Sequence, residues 1–114
     1  MASQKHLDIL SSGNTLWGKW RRAYSDVQAV EPDLHKADLH GVDLHGVDLH
    51  GGDLTEANLQ EADLRGADLR GADLDGALLD KAIFDEASLS GVDLSGVDLS
   101  KADVRGSVRT ETRA

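Results

Sequence analysis

From Pro32 to Gly106 the chain repeats one five-residue pattern: small apolar, polar, large apolar, then two residues suited to turns. The clearest copies read VDLHG VDLHG VDLHG, ADLRG ADLRG ADLDG and VDLSG VDLS. A fixed internal period outranks any local propensity. In an extended chain the first and third positions point one way and the Asp between them the other. On an α-helix a five-residue step advances roughly 500°, so the leucines would drift by about 140° per repeat and form no stripe. On one flat strand the odd period would flip Leu to the opposite face at every repeat. A chain that turns a corner every five residues keeps them together. Glycine fills the fifth position in nine of fifteen repeats, where its tolerance of positive φ suits a tight turn. The third position is Leu in thirteen repeats, with Phe84 and Val104 as exceptions, and the first is Ala or Val except at Pro32 and Gly52. Small and large residues in this order fill a narrow core and leave no ligand channel.

Residues 1–31 follow another rule. Leu16, Trp17, Trp20 and Tyr24 recur at helical spacing, with Lys19, Arg21 and Arg22 elsewhere around the same helix. Asn14 is a suitable N-cap for a helix over about 14–24. A shorter helix around Lys5–Ser11 would present Leu7, Ile9 and Leu10. Because a repeat array needs a terminal unit with one polar outer face, Leu16, Trp17, Trp20 and Tyr24 are expected to cover its open end. After Gly106 the motif stops, and SVRTETRA is polar. The expected organisation is an N-terminal helical cap over 1–31, a solenoid over 32–106 and a polar tail over 107–114.

These repeats resemble the pentapeptide-repeat family, whose motif is A-(D/N)-L-x-x, and the resemblance covers all fifteen copies. The segment ILSSGNTLWGKWRRAYSDVQAVEPDL also resembles the leader of many bacterial, especially cyanobacterial, members, in which a Trp-containing helix precedes the repeats. The resemblance implies an all-β solenoid: a right-handed quadrilateral β-helix with four pentapeptides per coil, just under four coils, and a short α-helical cap. Position n would then lie one strand spacing, ~4.8 Å, from n+20. Core ladders such as Leu44–Leu64–Phe84–Val104 follow, as do outward Asp columns such as Asp33–Asp53–Asp73–Asp93.

Charge adds a partner class. The chain carries a net charge of −9, and the solenoid alone holds 17 acidic against 6 basic side chains. Such a surface repels nucleic acid and anionic membrane and suits a basic or DNA-binding protein. Cysteine is absent, which excludes disulfides and thiolate metal sites. The N-terminus MASQKHLDILSSG lacks the apolar core of a signal peptide, so a cytoplasmic location is expected.

His35, His40, His45 and His50 suggest metal by density. On a four-sided coil they point in four directions, whereas zinc needs ligands within about 2 Å of one point; no metal site is expected. Stacked Asp residues repel unless each accepts from turn N–H groups. Leu78 and Ile83 occupy second positions otherwise held by Asp, Asn or Ser, so two apolar side chains should face solvent. With the Asp33, Asp53, Asp73 and Asp93 column they form the candidate interaction surface. Arg65, Asp85 and Arg105 are expected to stack as alternating charges. No catalytic or cofactor-binding residues are expected. The last coil, with Leu94, Leu99 and Val104 partly open, offers an edge for homodimerisation. The expected function is a non-catalytic structural or interaction module presenting an acidic rod. The alternative is a DNA mimic that binds or protects a DNA-binding enzyme such as DNA gyrase, as some family members do.

Overall fold

The computed structural model describes residues 3–23, 31–94 and 96–107; Tyr24 and the tail from residue 108 lie outside the described residues. Two helices precede the repeats, α1 (Gln4–Ser11) and α2 (Asn14–Ala23). Ser3 caps α1, its hydroxyl accepting from the His6 N–H at 3.4 Å. Gly13, at φ 110°, turns the chain between the helices. Its carbonyl accepts from the Trp17 N–H at 3.1 Å and opens α2.

From Pro32 onward the chain winds in coils of 20 residues. Second-position residues pair in parallel with their counterparts one coil on: Asp33 with Asp53, Asp38 with Asn58, Asp43 with Asp63, Asp48 with Asp68, and so on to Ile83 with Asp103. From Pro32 to Gly71 the pentapeptides spend their backbone polar groups the same way. The third-position N–H donates to the next coil (Leu34 to Asp53 O, 2.8 Å), as does the fifth (Lys36 to Thr55 O, 2.9 Å). The second-position N–H donates to the previous coil (Asp53 to Pro32 O, 2.8 Å). The following first-position N–H closes a turn onto the Leu carbonyl three residues back (Ala37 to Leu34 O, 2.9 Å). The expected all-β solenoid needs one correction. The pairing consists of isolated bridges, because a corner every five residues leaves a single residue per side free to pair.

The corners show why glycine is favoured and why it is not required. Fifth positions other than Gly96 and Lys101 take φ between 58° and 76°, and Lys36, Glu56, Glu61, Lys81 and Glu86 adopt the same conformation as the glycines. Each of these five accepts the left-handed region, which is unfavourable by about 1–2 kcal/mol for a residue with a Cβ. Gly52 answers a different demand. A Cβ there would lie 3.0 Å from the Leu49 carbonyl and 3.4 Å from Pro32, the residue one coil above.

The core is the set of third-position ladders with the first-position residues packed between them. Leu34, Leu54, Leu74 and Leu94 are buried, as are Leu39, Leu59 and Leu79, and Leu49, Leu69 and Leu89. Leu44, Leu64 and Phe84 are buried too, while Val104 ends its ladder only half-buried, as does Leu99. Among the described residues Asp98 makes no bridge to Leu78, so one side of the last coil leaves the ladder. The cap differs from expectation in one side chain. Trp17 is fully buried and Trp20 partly so, but Leu16 is 51 % exposed. The buried face of α2 is set by Trp17 and Arg21, one helical turn apart, which turns Leu16 outward.

Candidate interaction surface

The N-terminal end of the solenoid would present unpaired backbone groups, and the cap meets several of them. Ser3 N donates to Asp33 O at 3.0 Å, and Asp33 N donates to His6 Nδ1 at 2.8 Å. Trp17 Nε1 donates to Asp48 O at 2.6 Å, and Arg21 Nη2 donates to His50 O at 2.8 Å. Cap side chains thus replace the missing preceding coil. None of these contacts was legible from composition, because each spans 27 or more residues. The spacing of Trp17 and Arg21 on α2 was the available signal.

Arg21 is only 7 % exposed, and among the described residues its Nη1 has no hydrogen-bond partner. Burial lowers the guanidinium pKa, opposed by Asp48, Asp68 and Glu31 around it. Asp48, His50 and Asp68 bring their ligand atoms within 4.8 Å of one another, a grouping able to hold a cation. The Arg21 guanidinium already supplies one there: Nη2 lies 2.8 Å from His50 Nδ1 and 3.8 Å from the Asp48 carboxylate.

On the flanks the repeated Asp has one local task. At the second positions from Asp33 to Asp73, and again at Asp98 and Asp103, the side chain accepts from the N–H two residues on, at 2.9–3.4 Å. Asn58 does the same for Gln60, so the bond needs the oxygen and not the charge. Where Arg follows two positions later, a two-point ion pair forms as well, in Asp63–Arg65, Asp68–Arg70 and Asp103–Arg105. The forks of Arg65 and Arg105 are taken by these in-coil pairs, whose bonds chiefly raise the two guanidinium pKa values, and Asp85, in the expected column between them, adds to that rise. The reason is geometric: the fork reaches its own coil's carboxylate at 2.7–2.9 Å, while the Asp85 carboxylate lies where a Cβ at Gly106 would go. Hydrogen bonds from Arg65 and Arg70 lower the pKa of Asp63 and Asp68, and those from Arg105 lower Asp103 to about 2. At Asp53 burial opposes ionisation, and the bonds from Thr55 outweigh it.

The four repeat histidines do not converge. His35 pairs with Thr55, His40 with Glu61 at 3.0 Å, His45 with Asp43 and His50 with Asp48. The two irregular second positions stand out on adjacent sides, Leu78 50 % and Ile83 36 % exposed. Ile83 lies in a shallow groove of about 370 Å³ with Arg65, Asp85, Asp103 and Arg105. Asp53, Asp73 and Asp93 are exposed and Asp33 half-buried, with Asp33–Asp53 and Asp53–Asp73 bridged in one column. The structure therefore places the acidic column on one side of the solenoid and Leu78 and Ile83 on two others.

Comparison with known proteins agrees with this arrangement. The pentapeptide repeats family matches in eight copies over residues 33–51 and 72–108. A pentapeptide repeat protein from Nostoc PCC 7120 is 37 % identical over 79 % of this chain and 72 % of its own, with a TM-score of 0.66. One from the thylakoid lumen of Arabidopsis thaliana is 37 % identical over 64 % of this chain and 50 % of its own, with a TM-score of 0.61. QnrB1, a plasmid-mediated fluoroquinolone resistance protein, is 23 % identical over 61 % of this chain and 33 % of its own, and its TM-score of 0.55 shows likeness of fold alone. No curated protein sequence matches the chain. With unbroken five-residue repeats, 20-residue coils and this likeness to the Nostoc protein, the chain belongs to the pentapeptide-repeat family.

Proposed function

We propose that this chain is a non-catalytic interaction module, a right-handed four-sided solenoid whose acidic flanks dock a basic protein partner. The observation that carries the reading is the locking of the outward carboxylates. Each bridged Asp is held by its own turn N–H, so the acidic surface is pre-ordered and its charge is displayed at coil spacing. Ordering a charged side chain before binding removes much of the entropy otherwise lost on association. Leu78 and Ile83 add exposed apolar contacts on two neighbouring sides of the same solenoid. Pull-down of basic proteins by the wild-type chain, set against a variant with Asp53 and Asp73 changed to Asn, tests it. Asn keeps the turn bond and removes the charge, so equal capture by both chains overturns the reading.

A second reading rests on the same charge, 17 acidic against 6 basic side chains over the solenoid. In it the rod imitates DNA and binds or protects a DNA-binding enzyme such as gyrase, with end-to-end homodimerisation through the half-buried Leu99 and Val104 lengthening the rod. A supercoiling assay separates the two, since a docking module for other basic partners leaves gyrase unaffected at micromolar concentration.

A further inference from the structure

The cap is joined to the first coil by a bond whose acceptor is able to titrate. In later coils the equivalent backbone group is satisfied by backbone: Asp53 N donates to Pro32 O and Asp73 N to Gly52 O, at 2.8 and 2.9 Å. Asp33 starts the first coil, and its N–H donates instead to His6 Nδ1 at 2.8 Å. A backbone amide can only donate, so Nδ1 must carry a lone pair and the ring proton must sit on Nε2. The ring packs on Trp20 with centroids 4.8 Å apart, and Trp20 packs on Trp17 at 5.1 Å. Ser3, at the N-cap of the same helix, completes the joint by donating to Asp33 O.

We propose that His6 is a proton-operated latch: neutral, it seats α1 on the first coil, and protonated at Nδ1 it faces the Asp33 N–H donor-to-donor and releases the helix. Release would uncover Asp33 N–H and C=O, an edge able to pair with another chain. The charged groups facing His6 are Asp33 on the coil, which favours the imidazolium, and Lys5 on α1 and Arg21 on α2, which oppose it. Burial is the largest influence and lowers the His6 pKa from its ordinary 6.5. The released state therefore binds the proton more readily than the seated one. Seating is at full strength above pH 6.5 and weakens as pH falls from there toward the lowered value, by about tenfold per pH unit across that window.

Two measurements on the full chain decide it. Imidazole nitrogen NMR of the wild-type protein should show His6 with the proton on Nε2 and a protonation midpoint below 6.5; an Nδ1–H tautomer or a midpoint at or above that value overturns the proposal. Amide-exchange protection of Asp33, referenced to that of Leu64, should fall by about tenfold per pH unit across the window in wild type. It should stay flat in His6→Asn, whose side-chain oxygen accepts without titrating. Protection that is pH-independent in wild type, or that falls equally in both proteins, overturns it.

Discussion

Trp17 Nε1 donates to the backbone carbonyl of Asp48 at 2.6 Å, across 31 residues of sequence. That carbonyl has counterparts in later coils that accept from a third-position N–H, as Asp68 O does from Leu49 N. A tryptophan side chain therefore stands where a preceding coil would stand. Phe at this position keeps most of the ring and loses the donor. Trp17→Phe should lower stability by about 1–3 kcal/mol, the penalty for a buried carbonyl left unpaired, and Trp17→Ala by about 3–5 kcal/mol. Urea midpoints at constant slope check both.

Interior position decides what a ladder leucine contributes. Leu64 is fully buried between Leu44 and Phe84, whereas Leu99 sits half-buried in the last coil. Leu64→Ala should lower stability by about 2–5 kcal/mol, with Leu99→Ala well below that range, since part of its side chain already meets solvent. Equal losses in urea denaturation would show that the last coil is as well packed as the centre.

Backbone strain at the corners can be separated from packing. Gly46 has φ 66° and open space where a Cβ would go, so Gly46→Ala tests the conformation alone. A loss of about 1–2 kcal/mol is expected. Glu61, at φ 62°, makes the reverse test, and Glu61→Gly should be neutral or stabilising by up to about 1 kcal/mol, the flexibility glycine adds to the unfolded chain offsetting part of the relief. The thermal midpoint should fall in Gly46→Ala and hold or rise in Glu61→Gly.

The solenoid was legible because its period is odd. Five residues per repeat exclude a helix and a flat strand, and leave corners as the way to keep Leu34 to Val104 on one side of the backbone. What escaped was the docking of the cap. Leu16, Trp17 and Trp20 satisfy a helical pattern equally well, and periodicity cannot say which of them the coil edge selects. The edge selects by hydrogen bonding: Trp17 and Arg21 carry donors that reach Asp48 and His50 carbonyls, and Leu16 carries none. In the same way the pattern located Arg65 and Asp85 in one column but not the nearer in-coil partner, Asp63.

Acid should unlock the flanks before neutral pH affects them. The pKa values of Asp43, Asp63, Asp68, Asp98 and Asp103 lie below the ordinary 3.8, chiefly through side-chain hydrogen bonds from His45, Arg65, Arg70, Ser100 and Arg105. A lowered folded-state value means the unfolded chain takes up protons first. The stabilisation is therefore complete above 3.8 and is lost as pH falls from there toward about 2, the value at Asp103. Denaturant midpoints across this range should show the loss. Asp63→Asn, which keeps the turn bond as Asn58 does, should reduce the slope.

Leu78 and Ile83 carry no acceptor for their turns, unlike the second positions from Asp33 to Asp73 and at Asp98 and Asp103. The N–H groups of Asp80 and Asp85 consequently lack the side-chain bond that the neighbouring repeats have at 2.9–3.4 Å. Restoring the acceptor should help the fold by about 0.5–1.5 kcal/mol, the net value of one hydrogen bond. Both residues expose apolar surface, so the exchange sacrifices little packing. Ile83→Asp and Leu78→Asp should therefore be as stable as wild type or more so in urea. The uncharged changes Ile83→Asn and Leu78→Asn remove the same apolar contacts, that of Ile83 lying beside Arg65 and Arg105, and should weaken capture of a basic partner tenfold or more, about 1.4 kcal/mol per factor of ten. A variant that gains stability and keeps full binding would show that these side chains lie outside the contact, leaving recognition to the carboxylates alone.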